Sequence, residues 1–153
     1  MSKKAILVAI ILAAIAGFFI WYSAASKTSN GENNKLISKN GIHWHSELSI
    51  YIKGEKQEIP ANVGIGAIHL PLHTHEADNI IHMEFSRAVR ENDIKLSQFF
   101  KIWKKRFDSN CIFEFCNGET GKVKMFINGK ESGEFENYIM RDNDKIEIKY
   151  EPR

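Results

Sequence analysis

A chain of 153 residues, 43% hydrophobic and 26% charged, has room for one domain of ordinary size and the apolar content to build its core, which excludes a wholly disordered protein. Its 21 basic and 19 acidic side chains are interspersed and sum to +2, with no basic stripe carrying interleaved aromatics, so nothing marks it for nucleic acid.

Lys3 and Lys4 precede an uncharged run, AILVAIILAAIAGFFIWY, over residues 5–22. Eighteen apolar residues lie at the lower limit for spanning a hydrocarbon core. Trp21 and Tyr22 stand where interfacial aromatics belong, and the leading lysines would keep the N-terminus cytoplasmic. The expectation is an uncleaved signal-anchor over residues 1–22, with the rest of the chain extracytoplasmic and the membrane as its first partner. A cleaved signal peptide is the rival reading, since Ser23, Ala24 and Ala25 offer small residues at a processing position. Residues 23–40 are rich in Ser, Asn and Lys and read as a flexible linker.

From residue 41 the pattern becomes that of a folded domain, 41–153. Strict alternation puts Trp44, Leu48, Ile50 and Ile52 on one face of a strand, and His43, His45 and Glu47 on the other. A turn at residues 53–56 leads to a short returning strand at 57–60. Residues 61–72, with Gly64, Gly66 and Pro71, read as a loop that delivers His69, His73 and His75. A third strand over 79–85 turns Ile81, Met83 and Phe85 inward and His82 and Glu84 outward. Residues 94–107 carry Leu96, Phe99, Phe100, Trp103 and Phe107 at helical spacing, with Asp93 or Ser97 as candidate caps. That aromatic stripe is most simply core.

Cys111 and Cys116 are the only cysteines. Behind an export segment an even count reads first as a disulfide; the spacing is not the Cys-x-x-Cys of redox sites, and metal ligation is the remaining alternative. A strand at 123–127, a turn at Asn128 and Gly129, and a last strand at 145–150 close the chain.

The order of hairpin, helix, strand with an Asn-Gly-Lys turn, and closing Asp-x-Asp-x-Ile-x-Ile strand resembles the β-grasp, ubiquitin-like arrangement. The expected fold class is therefore α+β: an N-terminal transmembrane helix, then a small β-grasp-like domain with a mixed sheet packed on one main helix. The chain also resembles uncharacterised membrane-anchored, His-rich proteins of bacteria and archaea. The shared features are His-Trp-His at 43–45, His-Thr-His at 73–75, Ile-His-x-Glu at 81–84, Phe-Phe-x-x-Trp at 99–103 and the C-terminal hairpin. That resemblance implies an architecture and no activity.

All six histidines fall between residues 43 and 82. Imidazole is the commonest metal ligand and suits zinc, copper, iron or nickel. If the first and third strands are neighbours, His43, His45 and His82 share an open face within reach of His73 and His75. These five are the expected ligands, with Glu76, Asp78 and Glu84 as ring-orienting acceptors or direct ligands, and His69 set apart by Leu70 and Pro71. The expected function is handling of a transition metal, copper or zinc, outside the membrane. Two other readings are a metal-free module that binds a second membrane or extracytoplasmic protein through a pH-responsive face, and a small metalloenzyme. For an enzyme, Glu76 or Glu84 could serve as acid or base, although no HExxH motif is present.

Overall fold

The computed structural model describes residues 34–152, together with Ile15, Gly17 and Phe18. The anchor expected at residues 5–22 and the linker up to residue 33 fall, those three positions aside, outside the described residues. Among the described residues no helix is long and apolar enough to cross a membrane. The chain divides into Met1–Lys35 and Leu36–Arg153, and only the second unit is described at length below.

Strand structure begins within the stretch expected to be linker. β1 (Leu36–Ser38) pairs antiparallel with β6 (Val89–Arg90). The main sheet is built on β2 (Ile42–Ile52), whose alternation buries Leu48, Ile50 and Ile52. β2 pairs antiparallel with β5 (Ile80–Phe85) on one side, and β5 in turn carries β4 (Leu72–His73). On the other side β2 runs parallel to β11 (Asp144–Glu151), which pairs with β9 (Lys122–Ile127), itself paired with β10 (Lys130–Glu131). The returning strand after the first turn, β3 (Glu55–Gln57), is three residues long and pairs only with the end of β2. Between β9 and β10, Asn128 (φ 51°) and Gly129 (φ 81°) both take positive φ. Such a two-residue turn matches the twist of the strands it joins.

α1 (Leu96–Trp103) is the helix read from the aromatic stripe, and Leu96, Phe99 and Phe100 are buried as expected. It is shorter than 94–107. Lys104 adopts a left-handed conformation and the Lys105 amide donates back to the Phe100 carbonyl, which ends the helix after two turns. Its start is held by tertiary bonds, with the Leu96 amide on the Tyr138 carbonyl, rather than by a side-chain cap. Asp93 instead accepts the Arg90 amide of a preceding 3-10 turn at Glu91–Asp93.

These observations correct the expected fold class. Strand accounts for 43% and helix for 14%, so the protein is mostly β rather than α+β, and neither a membrane-spanning helix nor the β-grasp assignment is supported. The reason lies in segments to which the sequence assigned no strand. Residues 72–73, 89–90, 111–112, 115–116 and 130–131 form strands too short to show a period of two, while the only long helical pattern yields two turns.

Cys111 and Cys116 form the expected disulfide, directly opposite each other across the hairpin of β7 (Cys111–Ile112) and β8 (Phe115–Cys116). No free cysteine remains.

Candidate metal centre

Three strands bring the histidines together by register. His45 of β2 stands opposite His82 of β5, and His82 stands opposite His73 of β4. One row lower, His43 stands opposite Glu84, whose amide donates to the Pro71 carbonyl. Residues opposite each other in a sheet share a face, so this face carries His45, His82 and His73 in one line and His43 and Glu84 in the next. The opposite face of the same strands buries Leu48, Ile81 and Met83. A slip of one residue in β5 would exchange His82 for a core side chain, so burial of the apolar set fixes the site.

Thr74, between two of the histidines, locks the loop down. Its hydroxyl donates to the Pro60 carbonyl at 2.8 Å and accepts the Val63 amide at 3.0 Å. Its backbone exchanges further bonds with Val63 and Asn62 at 3.0 Å each. Gly64 (φ +77°) completes the clasp, because a Cβ there would lie 2.5 Å from the Leu72 carbonyl oxygen and 3.3 Å from the His73 Cβ. His73 is thereby fully buried, whereas His75 projects outward. A turn near the end of the chain holds His45 from the other side. The His45 amide donates to the Asp142 carboxylate at 2.9 Å, and the Asn143 amide donates to the His45 carbonyl at 2.7 Å.

The ring nitrogens converge. His73 Nδ1 lies 3.0 Å from the Leu70 carbonyl oxygen, which can only accept, so Nδ1 bears the proton and the Nε2 lone pair faces the cluster. His73 Nε2 is 3.1 Å from His75 Nε2 and 3.8 Å from Glu84 Oε1. Glu84 Oε1 is also 3.8 Å from His82 Nδ1 and 3.4 Å from His43 Nε2. Two nitrogens bound to one ion at about 2.05 Å stand roughly 2.9 Å apart at a right angle and 3.3 Å apart in a tetrahedron. The His73–His75 separation falls between these values.

Among the described residues two groups could hold a metal ion: His73, His75, His82 and Glu84, and His43, His45 and His82. Within each group the ligand atoms lie no more than 4.8 Å apart. His82 belongs to both. Its Nδ1 is buried and has no hydrogen-bond partner among the described residues, with Glu84 Oε1 too distant at 3.8 Å. A buried nitrogen without a partner is costly unless something absent from the protein itself satisfies it.

The electrostatics favour neutral rings. Burial pushes the His73 pKa below its ordinary value, helped by the neighbouring His69 and His75 and opposed by Leu70 and Glu84. Burial likewise lowers His82, with His45 and His75 adding to the effect against Glu84 and Asp78. An unprotonated imidazole is the form that ligates.

All five expected histidines thus meet on one face, together with Glu84. Glu76 and Asp78 are exposed and outside both groups; the Asp78 carboxylate accepts the Ile80 amide in the turn before β5. His69 is nearer than its spacing suggested. The Leu70 amide donates to the Gly64 carbonyl and folds the chain back, leaving the His69 ring 4.2 Å from that of His73. Residue spacing gives no signal of that turn.

A histidine-and-carboxylate cluster on the open face of a mostly β sheet is the class of site defined here. Comparison with family models, curated proteins and solved structures returned no match.

Proposed function

We propose that this protein binds a divalent transition metal, copper(II) or zinc(II), at His73, His75, His82 and Glu84, and serves in handling that metal. One observation carries the reading: a fully buried His73 aims its Nε2 lone pair at His75 and Glu84, beside a buried His82 Nδ1 that no group among the described residues satisfies. The donor set is imidazole and carboxylate. Both thiols are tied in the disulfide and the nearby Met83 is fully buried on the core face, so no soft ligand is offered. Such a set suits borderline divalent ions, among which copper(II) has the highest affinity for nitrogen ligands and zinc(II) is commonly held by imidazole and carboxylate in four-coordinate sites. The disulfide supports a location in an oxidising compartment outside the cytosol.

Elemental analysis of the untagged full-length chain tests this, together with a His73→Ala/His75→Ala variant checked for retained secondary structure by circular dichroism. About one equivalent of copper or zinc in the wild type, lost in the variant, is expected. No metal in the wild type, even after controlled addition of both ions, refutes the proposal and leaves the histidine face as a partner-binding surface.

A further inference from the structure

The two groups that share His82 each have one exposed member, His43 in one and His75 in the other, but only the second contains a ring with no solvent contact, His73. The side chain of His43 is 66% exposed, that of His82 18%, and that of His73 is fully buried. One carboxylate oxygen reaches across the gradient, since Glu84 Oε1 stands 3.4 Å from His43 Nε2 and 3.8 Å from both His73 Nε2 and His82 Nδ1. The rings are close enough for stepwise ligand exchange. His45 and His82 have centroids 4.7 Å apart, His82 and His75 4.5 Å, and His43 and His45 5.0 Å.

We propose that the cluster offers one ion two successive positions, an outer one at His43 and His45 and an inner one at His73, His75 and Glu84, with His82 a ligand in both. The inference rests on the metal-binding reading given above and adds a route to it. An ion leaving the inner position directly for water, past the exposed His75, would have to give up His73, His82 and Glu84 with no protein ligand taken in exchange. Passage by way of the outer position exchanges one metal–nitrogen or metal–oxygen bond for another while His82 stays bound. The oxidation state of the ion does not change, and the imidazoles engage as neutral rings. Two strands enforce the arrangement, because the pairs His43–Glu84 and His45–His82 are set by the register of β2 on β5. The expected consequence is kinetic: His43 and His45 govern how fast the ion enters and leaves, while the inner ligands govern how tightly it is held.

The test uses the untagged full-length chain in mild detergent, loaded with one equivalent of zinc(II) and challenged at fixed pH with excess chromogenic chelator. Wild type is compared with His43→Ala/His45→Ala and with His43→Ala alone, a substitution at an exposed position. The double variant is expected to retain one equivalent at an affinity within about threefold of wild type, while release and reloading both slow at least tenfold; the single variant shows an intermediate slowing. Unchanged rates at full occupancy overturn the two-position route and leave the inner site standing. Loss of stoichiometric binding in the double variant also overturns it, since His43 and His45 would then be ligands of a single site. A wild-type chain that retains no zinc removes the underlying site, an outcome separated from the others by the wild-type titration alone.

Discussion

Replacing Thr74 with valine removes one hydroxyl at nearly constant shape and tests whether the clasp beneath the histidines is held as described. The hydroxyl serves two partners, the Val63 amide at 3.0 Å and the Pro60 carbonyl at 2.8 Å. Val63 is 7% exposed, so its amide would be left without a partner away from water. That costs about 1–3 kcal/mol. Pro60 is an exposed residue whose carbonyl can recover a water, and its loss is at most about 1 kcal/mol. The sum is roughly 1–4 kcal/mol, a large share of the ~5–15 kcal/mol that holds an ordinary domain together. With an m-value of about 1.5 kcal/mol/M, the midpoint of urea unfolding should fall by roughly 0.7–2.7 M with no change in slope. Tryptophan fluorescence of the metal-free protein reads this directly, since Trp44 and Trp103 both pack against the core. Thr74→Ser, which keeps both bonds, should lose less than half as much. A Thr74→Val midpoint within about 0.3 M of wild type would refute the account of the loop.

Acid should weaken the metal-free fold in a defined window. His73 and His82 have folded pKa values below their ordinary 6.5, from burial first and from neighbouring histidines second. Between the depressed folded value and 6.5 the unfolded chain binds more protons, so stability rises with pH through that window and levels off above it. The slope is at most about 1.4 kcal/mol per pH unit for each ring. Urea midpoints from pH 4.5 to 8 check the sign, and a stability that falls as pH rises from 5 to 7 contradicts the burial of neutral histidines. Cys111→Ala/Cys116→Ala opens a cross-link between residues five apart. Chain-entropy reasoning puts the loss at roughly 2 kcal/mol. The hairpin carrying the bridge contacts β9, on the far side of β11 from the histidine-bearing strands, so metal stoichiometry should be unchanged when elemental analysis is repeated on the variant.

Much of the site was legible because alternation in β2 and β5 is long enough to read. Eleven residues of β2 and six of β5 put His43, His45, His82 and Glu84 on the face opposite the core before any pairing was known. The pairing itself was not legible. That β5 is the neighbour of β2, with His45 against His82, is decided by contacts distant in sequence, and β4 is two residues long with no pattern of its own. The proximity of His69 came from a backbone turn closed by a Gly64–Leu70 bond, which residue spacing cannot report. The helix ran past its true end on paper because Lys104 and Lys105 are good helix formers with no Gly or Pro to stop them, whereas the end is closed by a left-handed Lys104 and the bond from the Lys105 amide to the Phe100 carbonyl. The fold class failed for a related reason, since short strands made by pairing outnumber the elements that announce themselves locally.

The turn that clamps His45 has a bearing on when the site can exist at all. Asp142 reaches the His45 amide across 97 residues of sequence, and β11 beyond it lies beside β2 within the sheet. Contacts of such separation form late in folding, after the entropy of closing a long loop has been overcome. During synthesis, His43 and His45 therefore emerge long before the residues that steady them. A metal ion met at that stage would find separate His-x-His pairs on an unfinished chain. The complete cluster is a product of the finished topology, and an ion that bound there would be a late arrival rather than a template for the fold.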